Sequence, residues 1–329
     1  MTNLLHINGG ECLLIFKSKL IKLDFFMNGI VVANNYAELS ISDKDLVLNL
    51  LQENGRALEF ANQQLRADKE LVLCAVRQKG RALKFASPEL KNDFECVLAA
   101  VTQNGKALEY ASDELKSNVD IVIAAVSNNG SALIFAADEL QSNSSVVLAA
   151  VAQNGGALKF AAENLRGDYA LVLAAVKLKG RALEFSSAEL CAEKEIVLAA
   201  VKENDWAFAH ASDELRADKD FVLQVVSLKE HTLEFASDEL KADPEVVLAT
   251  ALEYEWAFDH AAIELISNRD FILAAVKLHG LALEYASEDL RSDREIVLAA
   301  VKQNAEALIY AGSDLRADRE LRLNAKLGN

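Results

Sequence analysis

The feature that most constrains the fold is an internal repeat of 25 residues that runs through most of the chain. An Asp, Asn or Glu recurs at this interval without a single insertion, at Asp43, Asp68, Asp93, Asn118, Asn143, Asp168, Glu193, Asp218, Asp243, Asn268, Asp293 and Asp318. The spacing gives eleven full repeats over 43–317 and a partial twelfth. A unit of 25 residues cannot bury a core of its own, so the units must stack on one another.

Each repeat predicts two helices, with repeat positions counted from the recurring acidic or amide residue. The first helix begins at that residue, which is a good N-cap, and runs through an apolar stretch such as "IVLAAV". Asn-Gly, as at Asn104-Gly105, ends it, and glycine suits the left-handed position after a helix. A short second helix carries "ALEFA", and a Ser-led turn then caps one more helical turn.

The fold class predicted is therefore all-α, an α-solenoid of about eleven 25-residue two-helix repeats in an elongated superhelix. Helix layers pack about 8–10 Å apart, which gives a length on the order of 100 Å. Position 23 is Leu in every full repeat and position six is Leu or Ile, so we expect both to form the shared seam. Alanine at positions seven and eight should let the layers approach closely. Pro88 and Pro244 each follow a predicted N-cap, where proline is tolerated.

The two ends differ from the repeats. In the final unit, residues 318–329, polar Arg322, Asn324 and Lys326 replace apolar positions, which predicts a C-terminal capping helix. Residues 1–42 are interpreted as an irregular N-terminal cap. Within it, 24–39 resembles a degenerate repeat, with Asn28-Gly29 in place of the helix terminator.

Composition excludes several classes of partner. The formal net charge is -16, so nucleic acid and acidic membrane surfaces are disfavoured. No apolar run is long enough to predict membrane insertion. The N-terminus lacks the basic region and the small-residue cleavage site that are typical of a classical signal peptide. Four cysteines without a paired CxxC motif favour a reducing compartment, so a cytoplasmic location is predicted. The sequence does not determine the oligomeric state, and a monomer is favoured.

The repeat pattern "D-x-E-h-V-L-x-A-V-x-x-N-G-x-A-L-x-[FY]-A-S-x-x-L" resembles that of domain-of-unknown-function family 4116, over about 43–323. The resemblance implies a helical repeat protein, with no shared activity or catalytic residue. Family members occur in large protist proteins and in candidate secreted effectors of intracellular bacteria. The resemblance therefore leaves open secretion into a host cell without a classical signal peptide. A looser similarity to leucine-rich-repeat-variant solenoids concerns the architecture alone.

The sequence contains none of the common catalytic or phosphate-binding motifs, and no cofactor or metal is predicted. A site made of consensus residues would recur in every repeat, so a unique site is expected where the repeat departs from itself. Repeats seven to nine, residues 193–267, hold three such departures. Position 13 loses its glycine, position 14 becomes aromatic, and position 18 changes from Phe or Tyr to His in repeats seven and nine. The candidate partner-binding residues are Asp205, Trp206, His210, Glu230, His231, Glu255, Trp256, Asp259 and His260.

Three interpretations of these departures stay open. In the packing interpretation, position 16 grows from Leu to Phe208 and Phe258 while position 18 shrinks to His, which conserves volume. In the binding interpretation, an exposed Trp/His/Trp ladder contacts a protein or peptide, because Trp is enriched at binding hot spots. A metal site is disfavoured, because His210 and His260 are two repeats and roughly 20 Å apart.

The function predicted is a non-enzymatic scaffold that binds a protein or peptide. The alternative is a small-ligand or enzymatic site around His210, His231 and His260 with nearby carboxylates, which requires these groups to converge in one pocket. Basic residues at position 14 form a second stripe, and Arg56, Lys106 and Arg181 each have Glu three residues on. That spacing predicts ordinary ion pairs at the surface.

Overall fold

The computed structural model describes residues 3–7, 11–16, 19–26, 29–32 and 41–327. From residue 41 onward the described elements are helices, arranged as tandem repeats of the predicted length, so the fold is an α-solenoid. The chain divides into two compact units, Met1–Leu165 and Arg166–Asn329.

Each repeat contains three helical elements. The first is a long α-helix of eight to ten residues, at Lys44–Glu53, Lys69–Gln78, Phe94–Gln103, Val119–Asn128, Ser144–Gln153, Tyr169–Leu178, Lys194–Glu203, Lys219–Val226, Pro244–Ala251, Arg269–Leu278 and Arg294–Gln303. The second is a six-residue 3-10 helix, at Gly55–Phe60, Gly80–Phe85, Gly105–Tyr110, Gly130–Phe135, Gly155–Phe160, Gly180–Phe185, Asp205–His210, Glu230–Phe235, Glu255–His260, Gly280–Tyr285 and Ala305–Tyr310. The third is a short helix, at Gln63–Arg66, Pro88–Lys91, Asp113–Lys116, Asp138–Gln141, Glu163–Arg166, Ala188–Cys191, Asp213–Ala217, Asp238–Lys241, Ile263–Ile266, Leu290–Ser292 (3-10) and Ser313–Ala317. A final α-helix spans Arg319–Leu327.

The predicted caps are confirmed in most repeats, although Glu193 and Ser187 make no side-chain cap hydrogen bond. The Asp68 carboxylate accepts hydrogen bonds from the backbone N–H groups of Glu70 and Leu71, which would otherwise be unpaired in the first helical turn. Asn54 ends one helix and caps the next, since its side chain accepts from the N–H of Arg56. Pro88 and Pro244 lie in the first turns of their helices, as expected.

Adjacent repeats are joined by a backbone hydrogen bond that recurs every 25 residues. The N–H at position 20 donates to the carbonyl at position 24 of the preceding repeat, as from Ser112 to Lys91 at 2.9 Å and from Ser237 to Arg216 at 2.8 Å. The pattern begins with Asn62 and Ile41, which are 2.8 Å apart. A second link is ionic: Lys69 at position two lies 2.9 Å from Asp93 and 3.0 Å from Glu95 of the next repeat.

The core lies between the long helix and the 3-10 helix. Ile121, Val122, Ala125 and Leu133 are fully buried, and Leu140 at position 23 is 6% exposed. Position six differs from the prediction, because its Leu and Ile side chains are only half-buried in the described repeats. Alanine at position eight is buried, as predicted, whereas alanine at position seven is partly exposed.

The glycine at position 13 has a role that the sequence did not indicate. Its backbone is not in the left-handed region; instead, it lies against the carbonyl of position eight in the next repeat. A Cβ atom built on Gly105 would lie 2.2 Å from the carbonyl oxygen of Ala125, where real contacts stay above 3.0 Å. Glycine is therefore required for close approach of two repeats, and the left-handed cap expected at Asn104-Gly105 is wrong.

The N-terminal segment also departs from the prediction. Strands β1 (Asn3–Ile7), β2 (Glu11–Phe16), β3 (Lys19–Phe26) and β4 (Gly29–Val32) form one antiparallel sheet in the order β1-β2-β3-β4. The described residues of the supposed degenerate repeat, 24–26 and 29–32, thus lie in strands. Asn-Gly is also a strong signal for a β-hairpin, so the dipeptide does not by itself distinguish a helix terminator from a turn between strands.

Candidate functional site

Three consecutive 3-10 helices bring the departures of repeats seven to nine together. Position 14 falls at the second residue of each of these helices, so Trp206, His231 and Trp256 lie side by side; we call these three residues the aromatic ladder. The ring centroids of Trp206 and His231 are 6.1 Å apart with an interplanar angle of 24°, and those of His231 and Trp256 are 5.4 Å apart at 16°. The ladder is a stack of three nearly parallel rings.

Other aromatic side chains support the stack at its sides. Phe235 lies 5.4 Å from Trp206, Tyr254 lies 6.0 Å from Trp256, and His260 meets Trp256 edge-on at 5.3 Å. Offset, tilted and edge-on pairs of this kind each contribute about 0.5–1.5 kcal/mol beyond the burial of area. The ladder is therefore held in place by its neighbours rather than projecting as separate side chains.

Exposure differs along the ladder. Trp206 is 54% exposed, and it belongs to a contiguous cluster with the rings of His231 and Phe235, whereas singly exposed apolar residues are common on protein surfaces. His231 and Trp256 are half-buried. The indole N–H of Trp256 is buried without a hydrogen-bond partner, which is an unusual cost for a tryptophan.

A carboxylate–imidazole pair fixes the middle ring. Nδ1 of His231 lies 2.8 Å from Oδ2 of Asp205, which belongs to the preceding repeat. The other carboxylate oxygen of Asp205 accepts from the backbone N–H of Trp206 at 3.1 Å. Burial opposes ionisation of the Asp205 carboxyl, but the hydrogen bonds from His231 and Trp206 outweigh it and hold its pKa below the usual 3.8. Asp205 thus ties repeat seven to repeat eight.

The remaining candidate residues do not join this cluster as one pocket. His210 is exposed, and Asp259 is exposed on the far helix. The side chains of Glu230 and Glu255 lie outside the described residues. In the described part of the chain, no group of three or more His, Cys, Asp or Glu side chains is placed to hold a metal ion.

The packing interpretation is confirmed only in the burial of Phe208 and Phe258, because their packing partners are not the histidines at position 18. Both side chains are buried, and they pack on Phe221 and Phe271 of the following repeats with centroid distances of 6.3 Å in each case. His210 is exposed, so it does not fill the space beside Phe208. Phe221 and Phe271 were missed, although both stand at position four, 50 residues apart, in the repeats that follow the departures.

Loss of the glycine at position 13 coincides with altered helices. The long helices that follow Asp205 and Glu230 are Lys219–Val226 and Pro244–Ala251, eight residues each instead of ten. A side chain at position 13 cannot keep the close approach that Gly105 shows, because its Cβ would meet a carbonyl. The long helix that follows Glu255, Arg269–Leu278, keeps ten residues, so the shortening accompanies two of the three lost glycines.

These observations define a class of protein, a tandem-repeat α-solenoid in which repeats seven to nine differ from the common repeat. A family model, Domain of unknown function (DUF4116), matches overlapping two-repeat windows at 43–91, 68–116, 93–141, 118–166, 143–191, 168–216, 193–241, 218–266 and 268–316, and a shorter one at 293–325. The chain belongs to this family. Searches of curated proteins and of solved structures found no match. Among the described residues, no helix combines the length and the apolar character needed to cross a membrane.

Proposed function

We propose that this repeat protein is a non-enzymatic scaffold that binds a protein or peptide through the aromatic ladder. The observation that carries the proposal is the exposure of Trp206, 54%, at a repeat position that is elsewhere mostly charged or small. Binding energy at interfaces concentrates in Trp, Tyr and Arg residues that are already rigid. The stacked neighbours hold Trp206 in one place before any partner arrives, which lowers the entropic cost of binding.

Charge favours a basic partner. Asp205 and Asp259 lie on the helices that carry the two ladder tryptophans, and Glu234 lies on the helix between them. The whole chain has a formal net charge of -16. A peptide with Lys or Arg beside an apolar residue would meet both the exposed indole and these carboxylates, with cation–π contacts to Trp206 adding to the attraction.

The alternative of a small-ligand or enzymatic site rests on the Asp205–His231 pair. A carboxylate that orients an imidazole is a common arrangement for proton transfer. Here, however, both faces of the His231 ring are stacked against tryptophans, His260 contacts the edge of Trp256, and His210 is exposed. This arrangement favours the scaffold over an enzyme.

The test compares partner capture from the native host by wild type and by Trp206→Ala, alone and with Trp256→Ala. Arg181→Ala is the matched control, because Arg181 is an exposed position-14 residue of repeat six in the same unit. Capture should fall with Trp206→Ala and persist with Arg181→Ala. Circular dichroism melts of each variant separate loss of the surface from loss of the fold. Undiminished capture by the double variant would refute the assignment of the ladder.

A cytoplasmic location is proposed on the chemistry of the cysteines. Cys74, Cys96 and Cys191 are free thiols, and burial chiefly raises the pKa of Cys96 to about 12, which keeps it protonated. Such thiols suit a reducing compartment. Delivery into a host cell as an effector is the alternative, and fractionation of an infected culture with antibody detection distinguishes the two.

A further inference from the structure

A second site of different chemistry lies in the first unit. An open cleft of about 340 Å³ lies along the 3-10 helices of repeats one to three. The residues that line it include Arg56, Lys79, Arg81, Lys84, Asn104 and Tyr110. Four cationic side chains thus face one cavity, and no described carboxylate lines it. In a chain with a net charge of -16, such a concentration of positive charge is unexpected.

Lys79 occupies a place where the repeat normally carries a capping residue. Position 12 is Asn in repeats one, three, four and five, and each of these side chains caps the 3-10 helix that follows. Lys79 makes no such side-chain hydrogen bond. Loss of an N-cap typically costs about 1 kcal/mol, so the lysine gives up stability at this position.

Lys84 stands at position 17, where repeats one and six carry a glutamate that neutralises the arginine at position 14. In repeats one and six, Arg56 pairs with Glu59 at 3.1 Å and Arg181 pairs with Glu184 at 3.0 Å, as the sequence predicts. In repeat two, the residue three after Arg81 is Lys84. Two like charges at this spacing destabilise a helix slightly, so the substitution again works against stability.

Arg81 is instead held by the next repeat. Its Nη2 atom lies 2.6 Å from the Tyr110 hydroxyl and 3.3 Å from Oε2 of Glu109, and its guanidinium lies 5.6 Å from the centre of the Tyr110 ring. The ion pair predicted between Lys106 and Glu109 is accordingly replaced by one between Arg81 and Glu109. In the described part of the chain, Lys79 and Lys84 form no ion pair, and the Lys84 ammonium lies over the Phe85 ring at 5.9 Å.

From this cleft we propose a binding site for a small polyanion that carries two adjacent phosphate groups, as in a pyrophosphate or a diphosphate ester. Arg81 is positioned to offer its planar guanidinium, which fits phosphate oxygens in a bidentate manner, and the two lysines supply mobile point charges. The volume of the cleft falls within the range of roughly 300–1,000 Å³ that small-molecule sites occupy. Arg56 and Arg81 are already paired with Glu59 and Glu109, so the ligand must chiefly neutralise Lys79 and Lys84, two charges that a single carboxylate cannot match.

Repeat six supplies an internal comparison. It shares Lys179, Gly180 and Arg181 with repeat two, but it carries Glu184 where repeat two carries Lys84. Restoring the common residues in repeat two, by Lys84→Glu and by Lys79→Asn, therefore uses side chains that this fold already accepts at the same positions. Neither change should unfold the protein, so a loss of binding reports the site itself.

The experiment is isothermal titration of the full chain with inorganic pyrophosphate at low ionic strength, with citrate as a polyanion without phosphate. Wild type should bind one pyrophosphate per chain. Lys84→Glu should weaken binding about tenfold or more, because an attraction becomes a repulsion. Lys79→Asn should weaken it less while leaving the melting temperature equal or higher, and Lys179→Asn, in repeat six, should bind like wild type.

Three results would overturn the proposal: no pyrophosphate binding by wild type, unchanged binding by Lys84→Glu, or an equal loss in Lys179→Asn. Citrate binding as tight as that of pyrophosphate would overturn the assignment to phosphate. The outcome is independent of the aromatic ladder, because every residue of the cleft belongs to the first unit.

Discussion

Because of the close approach at Gly105, we expect Gly105→Ala to lower the free energy of unfolding, whereas the same change at an unobstructed glycine would raise it. Gly105→Ala adds one methyl group whose carbon would lie 2.2 Å from the Ala125 carbonyl oxygen and 3.0 Å from Cβ of Asn129. Because the obstacle is backbone, no side-chain rotation can relieve the contact. The backbone N–H of Gly105 also donates a hydrogen bond of 2.7 Å to Oδ1 of Asn128, which holds the Gly105 backbone in place.

The magnitude follows from two opposing effects. Overpacking costs about 1–3 kcal/mol, and a contact with backbone belongs at the upper end of that range. Glycine to alanine at an ordinary backbone conformation otherwise stabilises by about 0.4–1 kcal/mol, through the unfolded chain. The net expectation is a loss of about 2 kcal/mol in the free energy of unfolding. The loss should concentrate at the junction between repeats three and four, because repeats interact mainly with their neighbours.

Urea denaturation followed by circular dichroism gives the total loss, and hydrogen exchange of the helices Phe94–Gln103 and Val119–Asn128 gives its location. Lys106→Ala is the control, because Lys106 is the exposed neighbour of Gly105 and its side chain makes no ion pair in the described residues. The control should change stability by less than about 0.5 kcal/mol. A Gly105→Ala protein that is as stable as wild type, or more so, would refute the close-approach argument.

Three further predictions concern other contacts. Phe208→Ala should lower the free energy of unfolding by about 3–5 kcal/mol, and a double-mutant cycle with Phe221→Ala in urea melts should show coupling of about 0.5–1.5 kcal/mol. The Asp68 pKa is lowered from 3.8, chiefly by the hydrogen bond with Lys44. Its contribution to the free energy of unfolding is therefore complete above about pH 4 and is lost as the pH falls below it. Asp68→Asn should make the free energy of unfolding less dependent on pH in this acidic range. Ala150→Leu should destabilise by about 1–3 kcal/mol in thermal melts, since Ala150 is fully buried and its carbonyl faces Gly130.

The periodicity was sufficient to predict the repeat, its length, the N-caps and the position-23 leucine, because each depends on local chemistry repeated at a fixed interval. It misassigned two constant features. Position six looked like core because it is always Leu or Ile, yet it is half-buried. The position-13 glycine looked like a left-handed cap because Asn-Gly is typical of one, whereas the real constraint is a carbonyl 20 residues further along the chain.

At the candidate site, the sequence indicated the aromatic ladder but not its contacts. Trp206, His231 and Trp256 could be placed on one stripe from the period alone. The Asp205–His231 hydrogen bond and the Phe208–Phe221 contact join different repeats, and a pattern within one repeat contains no information on such pairs. Comparison of positions four and 16 between successive repeats would have found the phenylalanine pairs, because both recur 50 residues apart.

The backbone hydrogen bond between position 20 and position 24 has a consequence for how the chain finds its register during folding. Since the bond involves only main-chain atoms, it cannot distinguish one repeat from another, and a partly folded chain can form it with the wrong neighbour. The Phe208–Phe221 pair recurs as Phe258–Phe271 two repeats further on, so it penalises a slip by one repeat, in which Phe208 would lie against a smaller residue at position four. The Asp205–His231 pair would be lost in the same slip. The side-chain pairs of repeats seven and eight thus favour the native alignment over a one-repeat slip that the backbone hydrogen bond alone would allow.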